Sequence, residues 1–553
     1  MKSAAEAGEV LDLSRRGNNV VPATAIRDLL RSGDVDPRGL LLVGARITGV
    51  LDLSFISTST ALQLDDCVFE EPLSLHDTEL PALSLDGSTL PELNAENLRT
   101  RYLTMKGTRC TGIVDLENAR IDGSLLLQDA TARPLFATGL HVTRSVKADR
   151  LFASRVWLDG CEIGGGVDLT DAVIVHDKSL AFVGTNADIG GDLILNGAFV
   201  KACGESPAVA LSDASCRTLW LRGAVLRAEA GPALFLDGAQ FQQEVRLLGF
   251  DARSASGDAV RMVDTRVGAG LVVQGSVRAD DGEAFVLHRA KVGASVTIND
   301  STISARTRRA AVDLTDATVN GELVIRSTTL VNHGQGFDLD LSGTKVGNTL
   351  SLGESELLEA GNLIVTMDGL IYPNPPLDTG VWLKMLRDHT LFYEAQPYQQ
   401  LAAVHRAAGH EHTARKVLIA QQEDLRRHGD PGNKLWHWFL GVTLGYGYKP
   451  SRAVIGLLVT FLLALCLVWT TNAYNGLTPA KDRPADSCSP VNRFSLAADL
   501  AIPLVKLGGT PRCELANGPA GQWATGAGWV VQIMGWSFAT LSVAGFTGLV
   551  RKS

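Results

Sequence analysis

The chain is 553 residues long, 20% charged and 45% hydrophobic, with 56 glycines against only 17 Phe, 9 Trp and 7 Tyr. Such a composition suits an aliphatic core turned by many glycines and does not suit a large aromatic core. A formal net charge of −9 supplies no basic stripe to displace counterions, which excludes nucleic acid as a partner.

The opening residues, MKSAAEAGEVLDLSRRGNN, hold no apolar run of the kind that marks a secretory leader, so the part ahead of residue 370 is expected in the cytosol. Residues 21–34, VPATAIRDLLRSGD, place Ile26, Leu29 and Leu30 on one face of a helix. That face suits the end of a stacked β structure, and residues 1–40 read as an N-terminal helical cap.

From there the chain repeats. ARITGVLDL at Ala45 returns as ARIDGSLLL at Ala119, CEIGGGVDL at Cys161, ADIGGDLIL at Ala187, TRVGAGLVV at Thr265, AKVGASVTI at Ala290 and TKVGNTLSL at Thr344. From Cys161 onward the starts lie 25 to 27 residues apart, whereas Ala45, Ile56, Cys67 and Thr78 are spaced by 11, so one early coil takes about two units. A weaker half-repeat, as in ALFLDG, AFVLHR and AVDLTD, sits between the strong ones. A small residue, an aliphatic one two places on, then alternating L-x-L, is what stacked parallel rungs around a narrow core require. About 13 or 14 coils at roughly 4.8 Å each predict a rod on the order of 65 Å over residues 41–369.

The residue before the small one is Gly44, Asp66, Asn118, Gly160, Asn186, Asp213, Gly238, Asp264, Asp316 or Gly343, with Arg289 the exception. Gly, Asn and Asp tolerate the left-handed backbone of a tight corner. These carboxylates recur on the structural period instead of converging in one place, so no catalytic residue is assigned. The runs IGGGVD and VGAGLVV fall on the same corners and do not complete a dinucleotide fingerprint. Of eight cysteines, Cys67, Cys110, Cys161, Cys203 and Cys216 lie in the repeat and are expected as buried free thiols.

IYPNPPLDTG, residues 371–380, ends the strands with three prolines and opens a neck over residues 370–450. Residues 396–429 then place Tyr398, Leu401, Ala402, Gly409, Ala414 and Leu418 as in a single tetratricopeptide-type helical hairpin. His405, His410 and His412 cluster near its turn, but HEHTA is not the H-E-x-x-H pattern and no metal is assigned. KLWHWFLGVTLGYGYKP, residues 434–450, reads as an interfacial helix, with Trp436, Trp438, Tyr446, Tyr448, Lys449 and the following Arg452 at the headgroup level. Its TLGYG differs by one letter from a potassium filter loop, yet no earlier span returns it through a bilayer and Lys449 and Arg452 would repel cations.

Residues 453–471 and 527–550 are uncharged stretches of 19 and 24 residues, long enough to cross a membrane. Basic residues lie close outside both, at Lys449 and Arg452 and at Arg551 and Lys552, which predicts an inner-membrane protein with both termini cytoplasmic. The extracytoplasmic loop, residues 472–526, then holds Cys488 and Cys513 where a disulfide can form. Its segment 492–509 is apolar but too short to span, so it either lies in the interface or re-enters. The small residues Ser542, Ala544, Gly545 and Gly548 suit close helix packing and a homo-oligomer.

The fold class expected is therefore mainly β: a parallel β-solenoid (β-helix) with an N-terminal helical cap, followed by an α-helical hairpin neck and two transmembrane helices. The helices occupy residues 451–471 and 527–550, and residues 551–553 form a cytoplasmic tail.

The small-x-aliphatic stacking resembles pentapeptide-repeat and related β-solenoid proteins. The order of solenoid, QPYQQLAAVHRAAGHEHTARKVLIAQQ, GYGYKP and a terminal AGFTGLVRKS resembles a bacterial, actinobacterial-type family of membrane-anchored repeat proteins often labelled membrane-associated oxidoreductases. The label brings no catalytic residue with it, because the matched motifs lie in the neck and anchor. No nucleotide, flavin, haem or paired-cysteine signature is seen, so no cofactor is expected. Three functions are left open: a scaffold or sensor that binds a protein partner on the solenoid face, an oligomeric pore gated by the solenoid, and the oxidoreductase of the label.

Overall fold

The computed structural model describes residues 2–15, 17, 19–33, 35–353, 363–428, 451–480, 488–502 and 513–547. It divides into two compact units, Met1–Gln400 and Leu401–Ser553.

The first unit is a parallel β-solenoid with four strand ladders per coil. The first ladder runs from Leu11–Asp12 to Leu350–Ser351 and the second from Val20–Pro22 to Thr329–Asn332. The third stacks 14 strands from Leu51–Asp52 to Val365–Thr366, and the fourth 11 from Arg99–Thr100 to Lys345–Val346. The half-repeats ALFLDG, AFVLHR and AVDLTD are the third-ladder strands. The two long strands Val245–Ser254 and Leu271–Ala279 straighten the corner between the first two ladders and fuse them into one sheet.

Each coil turns inward one aliphatic side chain per ladder. Leu193, Val200, Val209 and Cys216 do so in one coil at 0–3% exposure, and burial of each such chain stabilises by roughly 1.5–3 kcal/mol. Where the small residue is Ser or Thr, its buried hydroxyl donates to a carbonyl of the preceding coil: Thr78 to Leu53 (2.9 Å), Thr108 to Leu85 (2.7 Å) and Thr344 to Leu314 (2.8 Å). A buried polar group is tolerated there because it is paired.

All eleven corner residues named from the sequence take positive φ, between 51° and 73°. They fall in two columns, one between the first and second ladders and one between the third and fourth, so the small residue follows a left-handed corner twice per coil. Arg289 is no misfit: its guanidinium grips Asp264, the corner residue one coil earlier, with Nε and Nη2 at 2.8 and 2.6 Å. Arg150 holds Asp129 in the same way, at 2.6 and 2.7 Å.

The ends differ in detail from the sequence reading. Helix α1 (Lys2–Ala7) and helix α2 (Ala23–Ser32) lie within residues 1–40, and α2 buries Ile26, Leu29 and Leu30. Leu11–Asp12 and Val20–Pro22, however, pair in parallel with Leu42–Val43 and Arg46–Thr48, so residues within 1–40 already start the first two ladders. Their short apolar runs lack the small-x-aliphatic signature because no earlier coil stacks upon them. At the other end helix α3 (Thr379–Asp388), which the sequence did not reveal, closes the core with Trp382, Met385 and Leu386, Trp382 lying 5.7 Å from Tyr372 between ring centroids. Asp378 caps α3 by accepting from the amides of Gly380 and Val381. Helix α4 (Ala395–Ala407) begins in this unit, and its Gln396 and Gln400 bond the backbone of Gly369, Leu370 and Tyr372 in place of a further rung.

The second unit holds helix α5 (Glu411–His428), helix α6 (Ser451–Ala473), helix α7 (Pro490–Ala501) and helix α8 (Pro519–Thr547). Among the described residues one helix, α6, is long and apolar enough to cross a membrane. Two spans were expected from the sequence. The second, residues 527–550, falls on α8 except for its last three residues, which lie outside the described residues.

Candidate functional site

The coil changes length partway along the solenoid. In the first ladder Val146 pairs with Val167, 21 residues on, and Val167 with Leu193, 26 residues on. The extra residues enter between the second and third ladders. Second-ladder strands grow from the two residues of Phe152–Ala153 to the four of Val173–His176, Phe199–Ala202 and Val225–Ala228 before the chain turns back. The result is a flange that stands along one edge of the third face.

Outward side chains of the third face stack in register as Asp115, Phe136, Trp157, Val183, Ala210, Phe235, Arg261, Val286, Asp313 and Asp340. Strand alternation should leave these in solvent, yet Val183, Ala210 and Val286, all in coils that carry the flange, are only 3–5% exposed. Arg155 ties its first turn down: Nε donates to the Leu180 carbonyl at 3.1 Å and the guanidinium lies 5.3 Å above the Trp157 ring. Phe136 and Trp157 are half-buried with ring centroids 6.5 Å apart. The third face is thus a groove that runs from an apolar, aromatic stretch into a charged one.

At its charged end lies a cavity of about 530 Å³ lined in part by Arg261, Glu283, Arg308, Arg309, Asp313 and Asp340. Arg261 is held by Asp237 at 2.8 Å and Asp258 at 3.3 Å. Glu283, on the flange, is buried and sits 3.6 Å from the exposed Arg309. Burial, with Asp258 and Asp313 adding repulsion, pushes its carboxyl up to about 7. Burial likewise raises Asp340, with Asp313 opposing its ionisation.

Other sequence candidates fall elsewhere. Cys67, Cys110, Cys161, Cys203 and Cys216 are free and buried, and desolvation pushes Cys161 and Cys216 up to about 12, which keeps them protonated and unreactive. His405 is buried with its ring 5.9 Å from that of His410, and desolvation together with that neighbour lowers its pKa. The glycines of IGGGVD stack on the next coil's Gly190 and Gly191 at a corner, bordering a shallow cavity of about 340 Å³.

In the second unit Cys488 and Cys513 form a disulfide with Cα atoms 5.3 Å apart. It lies beside an antiparallel hairpin of Leu477–Pro479 and Cys513–Leu515. Arg452 is exposed in the first turn of α6, whereas Trp436, Trp438, Tyr446, Tyr448 and Lys449, with the whole of TLGYG, lie outside the described residues. The segment 492–509, left as interfacial or re-entrant, overlaps α7 over residues 492–501, and its residues 503–509 lie outside the described residues. Ala497, Ala498 and Ala501 of α7 are buried, and Ala497 and Ala501 cluster with Ala464 and Val468 of α6 and Val531 of α8. Phe494 meets Phe461 edge-on at 5.3 Å. The Ala501 carbonyl comes so close to Gly535 that a Cβ there would collide with it.

The groove was not legible as such. Its only signal in the sequence is the lengthening of the repeat at Cys161 together with the run of apolar outward positions from Phe136 to Phe235.

No protein-family model, no curated protein and no solved structure matches this chain.

Proposed function

We propose that the protein is a membrane-anchored scaffold whose cytosolic solenoid holds an extended segment of a protein partner in the third-face groove. The observation that carries this reading is the groove itself: half-buried Phe136 and Trp157 leading up to the first turn of the flange, half-buried Phe235 along it, and the charged cavity around Glu283 beyond. Aromatic anchors next to paired charges fit a segment with apolar residues followed by residues of mixed charge. α6 supplies the anchor, with α8 as a second span. Arg452 at one end of α6 and a disulfide beyond the other favour a cytoplasmic solenoid and an oxidising far side.

The test is site-specific photocrosslinking in cells. A crosslinker at Phe235 or Trp157 should trap one and the same partner, and one at Asn94, on the same face ahead of the flange, should not. Trapping at Asn94 as efficient as at Phe235, or different proteins at the two groove positions, overturns the reading. Thiol labelling from outside intact cells should reach Cys488 and Cys513 after reduction and miss Cys161.

A further inference from the structure

Arg155 stands at the start of the flange with its guanidinium over the Trp157 ring, and its hydrogen-bond partners are uncharged. Nε donates to the Leu180 carbonyl, while Nη2 donates to the Ser179 hydroxyl and, at 2.6 Å, to the His176 ring. Burial and the neighbouring Arg155 lower the His176 pKa, which keeps that ring neutral. Nη1 has no partner among the described residues. Burial lowers Arg155 from the usual guanidinium range, and no carboxylate among the described residues opposes the shift. A half-buried cation without a counter-charge costs free energy that an incoming carboxylate recovers.

Farther along the third face the sign reverses. Trp157 and Asp313 lie six rungs apart in the register of outward side chains, with Asp340 one rung beyond. Asp313 accepts from the Thr315 amide at 2.7 Å and Asp340 from the Ser342 amide at 2.8 Å, yet neither pairs with a cation among the described residues. The nearby arginines are engaged: Arg261 by Asp237 and Asp258, Arg289 by Asp264, and Arg309 by Glu283, which leaves only the exposed Arg308. Glu394 adds to the negative field, since its buried Oε2 has no hydrogen-bond partner among the described residues and burial, Asp368 and Asp340 all oppose its ionisation.

We propose that the groove reads a charge order along one extended segment of the partner: an Asp or Glu against Arg155, an apolar stretch along Phe235, and a Lys or Arg over Asp313 and Asp340. Six rungs at roughly 4.8 Å make about 29 Å, the reach of about nine residues of extended chain. A single charge would suit many surfaces, whereas two opposite charges at a set separation select one kind of segment. This chemistry rests on the third face being the docking groove.

Photocrosslinkers at Trp157 and at Thr315 of the full-length protein in cells, with attachment points mapped by mass spectrometry, should mark two places about nine residues apart in one partner segment. An acidic residue should adjoin the first place and a basic one the second. That segment, made as a fluorescent peptide, is then titrated against the detergent-solubilised full-length chain. Asp313→Asn with Asp340→Asn keeps the amide bonds, removes both charges and should raise the peptide's Kd about threefold or more. Exchanging the peptide's Lys or Arg for Gln should weaken binding to the native chain and cost little more in that double variant. Attachment points on one partner without those charges, or a Kd unchanged by the double variant, overturn the charge order and leave the scaffold standing. Different partners at the two positions, or none, overturn both.

Discussion

Gly238 and Gly223 test whether the corners are fixed by backbone conformation alone or also by the coil beneath. Both are left-handed, at φ 73° and 66°. A Cβ at Gly223 meets nothing within 4 Å, whereas one at Gly238 collides with Asp213 Oδ1 of the preceding coil. An L-residue in this conformation costs about 1–2 kcal/mol. The loss of unfolded-chain freedom returns about 0.4–1 kcal/mol of it. Gly223→Ala should therefore destabilise by about 1 kcal/mol or less. Gly238→Ala must also displace the Asp213 carboxylate, and should lose about 2–3 kcal/mol in all. In the double variant Asp213→Gly, Gly238→Ala the collision is gone and the excess should vanish, a coupling of about 1–2 kcal/mol. Urea unfolding of the detergent-solubilised full-length chain, followed by far-UV circular dichroism, measures the native chain, both glycine variants, Asp213→Gly alone and the double variant. Equal losses at Gly223 and Gly238, or no relief from Asp213→Gly, would refute the stacking argument.

Glu283 gives a pH signature: its carboxyl is raised from 4.5 to about 7 in the folded chain, so the folded state holds the proton more tightly than the unfolded state does. The stability this group contributes is complete below about pH 4.5 and is lost as pH rises through 7. Glu283→Gln should therefore gain about 1–2 kcal/mol on the native protein between pH 5 and pH 8, an amount discounted for screening at the groove mouth. Unfolding midpoints that shift equally with pH in both proteins would contradict it. The thiols give a second check: with Cys161 and Cys216 at about 12, maleimide at pH 8 should leave both unmodified in the native protein, as mass spectrometry reads, while among the buried solenoid thiols Cys203, at 9% exposure, reacts first.

Much of the solenoid is written locally. Period-two side chains and the small residue after each corner name the inward rows, and Gly, Asn or Asp names the left-handed turn, because each of these preferences belongs to one residue and its immediate neighbours. Arg289 shows where that logic stops. Its left-handed conformation is offset by Asp264, 25 residues earlier in the chain, a partner that only stacking brings near. Leu11 and Val20 were hidden for the same reason: their rung is defined by Leu42 and Arg46 rather than by any repeat of their own. Trp382 likewise gives no sign in the sequence that it closes the core beside Tyr372.

By itself the sequence determined a parallel solenoid with left-handed corners, its change of coil length near Cys161, and an apolar helix after residue 450, since each follows from periodicity or from an uninterrupted apolar run. Only the tertiary structure decided that the added residues rise as a flange along the third face, from next to Trp157 past Phe235. It alone also put Glu283 beside Asp258 and Asp313, and brought α7 to rest with Ala501 against Gly535. Those outcomes depend on distances between residues tens of positions apart in the chain, which no local preference encodes.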